Sequence, residues 1–328
     1  MSDAVPQGAE LEVRALFRDE AAEAHAERRA RLASDDPDRW EGIAFPVEFA
    51  LELAAVCNLA CVMCPVPTTS RKRRLMDEAL FRKSVDEIAS ETGFVLFPQG
   101  FGEPMLHPKW AELLAHAKAK GIGPIVVLTN GTLLDERNVA RLLDLDLDAV
   151  VVSIDGVEPE TYAAVRVGGD LGVVEANVRR LLTARGPAPR PRLVLRIIRM
   201  KETAAQITAF FDRWRPLLGP ADEIAINEFN DWAGKVEDRS DASRPQPAAA
   251  TMRRPPCRML WMNLSVHADG KVSACCHDSE DELLVGDLAK GDTVRGIWEG
   301  PALARLRRIH REGRFEELPI CHACRNQA

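Results

Sequence analysis

The chain has 328 residues, 46% hydrophobic and 28% charged, enough to bury a full core and to carry one large domain plus a smaller appendage. Lys plus Arg number 43 against 50 Asp plus Glu, a formal charge of -7, and no long basic block is present, which speaks against nucleic acid as a partner. No stretch approaches the roughly 20 apolar residues that span a bilayer, and the N-terminal MSDAVPQGAELEVR lacks a secretion signal's apolar run, so we expect no membrane association and a cytoplasmic location.

Residues 1–45 are rich in Ala, Glu and Arg and read as a charged, helical extension without chemistry of its own. From residue 46 to 232 short apolar runs alternate with helical patterns. The expected strands are VEFALEL (47–53), FVLFPQ (94–99), IVVLT (125–129), AVVVSI (149–154), LVLRII (193–198) and EIAIN (223–227). Helices are expected between them, at 77–91, 108–120, 135–145, 171–184 and 204–218. This predicts an α/β fold with a parallel sheet, doubly wound or curled into a barrel, whose site lies at the C-terminal strand ends. The run Arg71-Lys72-Arg73-Arg74 reads as a solvated loop. Residues 233–256 are polar and rich in Pro and Ala, and we expect a linker. A second unit, 257–328, holds two alternating segments around Ala268-Asp269-Gly270, the pattern of a hairpin.

Eight cysteines in a reducing compartment are poor candidates for disulfides, so their spacing has to decide their role. Cys57, Cys61 and Cys64 form a CxxxCxxC triplet after the first strand. Three thiolates in one tight loop can hold three irons of a cubane cluster and leave the fourth open to an exogenous ligand. The second strand ends in Gly100-Phe101-Gly102-Glu103-Pro104, the third in Thr129-Asn130-Gly131 and the fourth in Ser153-Ile154-Asp155-Gly156. This succession resembles the radical S-adenosylmethionine (SAM) superfamily, in which the methionine part of SAM chelates the open iron.

The resemblance implies a partial (β/α)6 barrel, with Gly102 and Glu103 taking the methionine amino group. It further implies that Asn130 and Ser153 lie beside the methionyl and ribose groups, that Met63 faces the adenine, and that Arg166 follows the Ser-x-Asp-Gly segment as an arginine often does in this superfamily. Phe101 departs from the usual Gly-Gly-Glu-Pro, while Gly102 still permits close backbone approach.

Cys257, Cys275, Cys321 and Cys324 supply four further thiolates, enough to close every iron of a second cubane or to hold one zinc. Their order resembles the α+β twitch domain, the short relative of the SPASM domain, with one auxiliary cluster. A similar layout occurs in 2-deoxy-scyllo-inosamine dehydrogenase and in aminoglycoside epimerases. The cofactors implied are two [4Fe–4S] clusters and SAM, with an electron donor such as flavodoxin or ferredoxin as partner.

The same resemblance implies hydrogen abstraction from a small polyol, aminocyclitol or sugar, giving dehydrogenation or epimerisation in secondary metabolism. Cys276 is the one cysteine left for hydrogen return, and His277 and Asp278 beside it are candidate base or substrate anchors. A peptide-modifying maturase and a non-catalytic metal-binding protein are the other readings.

Overall fold

The computed structural model of the chain describes residues 19–242 and 254–324. The expectations for 1–18, for linker residues 243–253 and for 325–328 lie outside the described residues.

Helix α1 (Asp19–Leu32) precedes six strands with helices between them: β1 (Glu48–Leu51), α2 (Glu78–Ile88), β2 (Val95–Phe97), α3 (Trp110–Ala119), β3 (Val126–Thr129), α4 (Glu136–Asp144) and β4 (Ala149–Ser153). Two helices, α5 (Pro159–Val165) and α6 (Leu171–Arg185), then lead to β5 (Arg192–Arg199), α7 (Ile207–Trp214) and β6 (Glu223–Glu228). All six expected strands form. Asp77, Asp135 and Asp170 cap the N-termini of α2, α4 and α6 by accepting backbone N–H bonds, which is why each helix starts where it does. Helix α5 was not visible as an apolar pattern, because only Tyr162 and Val165 of its seven residues are buried.

Strands β3, β4, β5 and β6 run parallel in that order, and a parallel bridge between Leu96 and Ile125 joins them to β2 and β1. Side chains alternate across such a sheet. One face packs on the outer helices; on the other, Val95, Val126, Ala149, Val151, Val194 and Ala225, drawn from five strands, close into an inner apolar cluster. Ala21 and Ala22 of α1 pack against that cluster. Gly93 lies so close that a Cβ there would meet Ala24 at 2.8 Å, and the buried His25 Nδ1 bonds the Gly93 carbonyl at 3.2 Å. The N-terminal helix thus seals the barrel floor, which the sequence did not announce.

Downstream come α8 (Met259–Met262), β7 (Asn263–Val266), β8 (Lys271–Ser273), β9 (Leu284–Asp287), α9 (Val294–Trp298), α10 (Pro301–Glu312) and α11 (Pro319–Ala323). The expected hairpin is β7–β8, and β7 lies parallel to β1 with Glu48 opposite Asn263. The sheet order β2-β1-β7-β8-β9 therefore grafts the C-terminal unit directly onto the first barrel strand. Asp269 and Gly270 (φ +91°) make the turn, and a Cβ on Gly270 would meet Ala289 at 2.7 Å.

Candidate functional site

The Cys57–Cys64 loop leaves the C-terminal end of β1 and is clamped from two sides. On one, Ala60 and Val62 donate backbone bonds to Val167 and Val165 at 2.9 and 3.0 Å. On the other, Glu103 N–H bonds the Val56 carbonyl at 2.8 Å, and a Cβ on Gly102 would stand 2.0 Å from the Ala54 carbonyl and 2.6 Å from that of Val56. Glycine is required at position 102 by this approach of two backbones, whatever stands at Phe101.

The three thiols are near enough to feel one another's charge. Burial pushes Cys57 and Cys61 up and Cys64 up to about 12; Glu103 adds to the rise of Cys57, Asp155 and Cys57 to that of Cys61, and Cys61 and Cys57 to that of Cys64. Cys57 Sγ accepts from Asn130 Nδ2 and Cys61 Sγ from Arg166 Nη1, each at 3.8 Å. Arg166 caps the C-terminus of α5 and is fixed by Asp155, which takes its Nε–H at 2.7 Å and the Ile198 N–H at 2.6 Å. Asp155 thereby orients Arg166 and the β5 backbone.

Glu103 is 2% exposed; burial pushes its carboxyl up to about 7 against hydrogen bonds from Asn130 N–H, Thr129 Oγ1–H and Met105 N–H. A buried carboxyl that is costly to ionise alone suits a cationic ligand such as an amine. Asn130 uses its amide oxygen inside its own turn, accepting from Thr132, and its Nδ2 also reaches Asn58 Oδ1 at 2.9 Å. Ser153 Oγ takes the Arg196 guanidinium at 2.7 Å. Met63 is buried, and its carbonyl accepts from Trp232 Nε1 at 2.8 Å.

Trp232 was missed by sequence reasoning. It stands just past β6, packs edge-on to Phe101 (5.5 Å between ring centres) and to His277 (5.2 Å), and bonds Met63, so it touches the triplet loop, the Gly-Phe-Gly-Glu-Pro turn and the C-terminal unit together. Its φ of +53° and that of Ala233 (+57°) are left-handed conformations in two consecutive non-glycine residues, a costly backbone of the kind held at functional sites. A lone large aromatic opening a Pro- and Ala-rich stretch was the available signal.

The second group of thiols comes from four places: Cys257 ahead of α8, Cys275 after β8, Cys321 within α11 and Cys324 at its end. Burial raises Cys257, Cys275 and Cys321, the last to about 12, and each is pushed further by charges on others of the set. Among the described residues no three His, Cys, Asp or Glu side chains converge on the position of a single metal ion. A cubane makes a different demand, that each thiolate reach its own iron rather than one shared ion.

Cys276 is half-buried beside this group, close enough for Cys257, Cys324 and Glu48 to act on it. His277 is held by Asn230 Nδ2 at 3.1 Å and by Trp232, and burial lowers its pKa. Asp278 is fully buried and accepts from Ser273 Oγ (2.8 Å), Glu282 N–H (2.8 Å) and Leu283 N–H (2.7 Å). With both oxygens engaged it shapes the Cys275 turn.

Arg71 also departs from expectation. Its side chain is only 8% exposed and pairs with Glu52 at 2.5 Å and Asp281 at 3.2 Å, while Lys72, Arg73 and Arg74 are exposed. Glu52 further accepts Phe101 N–H (2.7 Å) and Ala268 N–H (2.9 Å), so this ion pair ties β1, the glycine turn and the hairpin into one piece.

Residues 51–212 match the radical SAM superfamily and residues 257–325 match the SPASM iron–sulfur cluster-binding domain. The chain belongs to the radical SAM superfamily and carries a SPASM-type C-terminal domain, a pairing that brings a [4Fe–4S] cluster, an auxiliary cluster and SAM.

Among relatives, it is 30% identical over 162 residues to the tungsten-containing aldehyde ferredoxin oxidoreductase cofactor-modifying protein of Pyrococcus furiosus, covering 48% of this chain and 45% of that one. It is 24% identical over 317 residues to the mycofactocin maturase MftC of Mycolicibacterium smegmatis, covering 87% and 78%. The chain spans about half the length of the first curated relatives it matches. A solved structure of BtrN in complex with AdoMet and 2-DOIA superposes with a TM-score of 0.58 at 16% identity, covering 86% of this chain and 94% of that one. No helix among the described residues is long and apolar enough to cross a membrane.

Proposed function

We propose that this radical SAM enzyme removes a hydrogen atom from a small polyol, aminocyclitol or sugar and completes either a dehydrogenation or an epimerisation. The observation that carries the reading is the cysteine count in space: three thiols in one loop, four gathered from the C-terminal unit, and one, Cys276, left over. Four thiols are enough to close one auxiliary cluster. The BtrN structure, matched along nearly its whole length, is a complex with AdoMet and 2-DOIA.

Cys57, Cys61 and Cys64 would hold the catalytic cluster, and Cys257, Cys275, Cys321 and Cys324 the auxiliary one. When bound, the clusters and SAM supply a 5′-deoxyadenosyl radical for hydrogen abstraction and an electron acceptor for the oxidised carbon. The chain itself binds and excludes. Glu103 offers its carboxylate to the SAM amine, Gly102 lets the turn approach the triplet loop, and Arg166 keeps a positive charge against Cys61. The floor closed by α1 leaves the C-terminal mouth as the substrate's place, where water is kept from the reacting carbon. Cys276 would return a hydrogen in an epimerase and be idle in a dehydrogenase.

A peptide substrate is the second reading, favoured by the match to the mycofactocin maturase over most of both chains. Anaerobic incubation of reduced, reconstituted enzyme with SAM and a panel of sugars, aminocyclitols and peptides separates them. Loss of two hydrogens from a sugar or cyclitol indicates dehydrogenation, and gain of one solvent deuterium at constant redox level indicates epimerisation. Turnover of peptides alone would sink the small-substrate reading.

A further inference from the structure

Two inward-facing arginines on β5 are treated differently by their neighbours. Arg192, at the floor end, pairs with Glu223 of β6 at 2.5 Å. Arg196, four residues nearer the mouth, has Ser153 opposite it on β4 and Ala225 opposite it on β6. Val194 and Val151, two residues back on the same strands, belong to the inner apolar cluster, so Arg196 and Ser153 form the layer above it, towards the C-terminal ends. Its Nε and Nη2 donate to Ser153 Oγ at 3.2 and 2.7 Å. Asp155, the carboxylate acting on it, is committed to Arg166 and to Ile198 N–H.

A half-buried guanidinium whose hydrogen-bond partner is one hydroxyl is an expensive feature. Burial, followed by repulsion from Arg166, lowers it to about 10, which leaves it charged at neutral pH. Of its five N–H donors Ser153 engages two, and the edge formed by Nη1 and Nη2 suits a two-pronged oxyanion.

We propose that Arg196 binds an acidic group of the substrate, a carboxylate or a phosphate, so that the molecule in the barrel mouth is a sugar or polyol acid or its phosphate ester. The inference rests on the preceding reading for the substrate's place in the mouth. The methionine carboxylate of SAM is the other oxyanion at hand, but Arg166 already stands against Cys61 at the triplet, and Arg196 lies a strand further on without a thiol contact.

The test uses reconstituted, SAM-loaded holoenzyme and calorimetric titration with glucuronate, glucose 6-phosphate and neutral glucose. Wild type is expected to bind at least one charged sugar about 10-fold or more tighter than glucose, a charge-assisted bidentate contact's worth. Arg196→Gln should erase that preference, Arg196→Lys should keep part of it, and SAM affinity should stay within about 2-fold in both. Equal binding of charged and neutral sugars by wild type overturns the proposal, as does a loss of SAM affinity of about 10-fold or more in Arg196→Gln. If only peptides are turned over while the Arg196-dependent preference persists, the small-substrate reading falls and the anion site stands. The wild-type comparison decides even where a variant folds poorly.

Discussion

The two thiol groups are assembled in opposite ways. The triplet occupies eight consecutive residues, and its loop is held by backbone bonds to 165–167 and by the Gly102 contact, all furnished by a barrel with its own large core. The auxiliary four come from positions 257, 275, 321 and 324, ahead of α8, after β8 and in or at the end of α11, so three separate segments must converge before a cluster can close on them. The first site is preorganised by the fold; the second has part of its local fold to gain from the metal. Breaking each set should therefore fail differently.

The largest effect is expected from Cys57→Ala with Cys61→Ala and Cys64→Ala. 5′-Deoxyadenosine formation should vanish and iron after anaerobic reconstitution should fall from about eight to about four per chain. Far-UV circular dichroism should be unchanged, since the clamps on the loop are backbone bonds. Loss of the barrel's signal in the triple variant would show that the triplet is not preorganised.

Cys321→Ala with Cys324→Ala should also halve the iron, but with a structural cost. The C-terminal unit should become the first site of limited proteolysis, while SAM cleavage continues without product. If proteolysis is as slow as in wild type, the contrast drawn above is wrong.

How much of this was legible beforehand follows from the same contrast. The six strands, the hairpin and the triplet were readable because each is a local pattern of a few consecutive residues. The floor made by α1 was not, since its evidence is small alanines whose partners lie some seventy residues or more away, at Gly93 and on the inner strands. Arg71 looked like part of a charged run because Glu52 and Asp281, which bury it, are distant in sequence. Asp278 was singled out for its place beside the cysteines, and its three hydrogen-bond donors are visible only in the folded turn.

Two intermediate effects sharpen the role of the barrel. Gly102→Ala forces a Cβ into the Ala54 and Val56 carbonyls, and we expect about 1–3 kcal/mol lower stability with weakened SAM binding, read by denaturant unfolding and equilibrium dialysis.

His25 carries the floor's pH dependence. Burial depresses it from 6.5 to about 4, so the folded state disfavours the proton that the unfolded chain accepts; stability present above about pH 6.5 is lost as pH falls towards 4. At pH 5 this is about 2 kcal/mol. Hydrogen exchange in α1 should rise there relative to pH 7.5, and His25→Gln should flatten the difference. An α1 equally protected at both pH values would count against the histidine's role.

The smallest effect concerns the residue that spans both regions. Trp232→Phe keeps a ring against Phe101 and His277 but loses the bond to the Met63 carbonyl, worth about 0.5–1.5 kcal/mol. Because that bond anchors the auxiliary side to the triplet loop, its loss should leave both clusters and SAM cleavage intact while loosening the register between them. The expected signature is a higher ratio of 5′-deoxyadenosine to product, with iron content and far-UV spectrum unchanged. An unchanged ratio would mean that the β1–β7 pairing and the ion pair of Glu52 and Arg71 hold the two regions in register without this bond, and Arg71→Met then becomes the next variant to weaken that link.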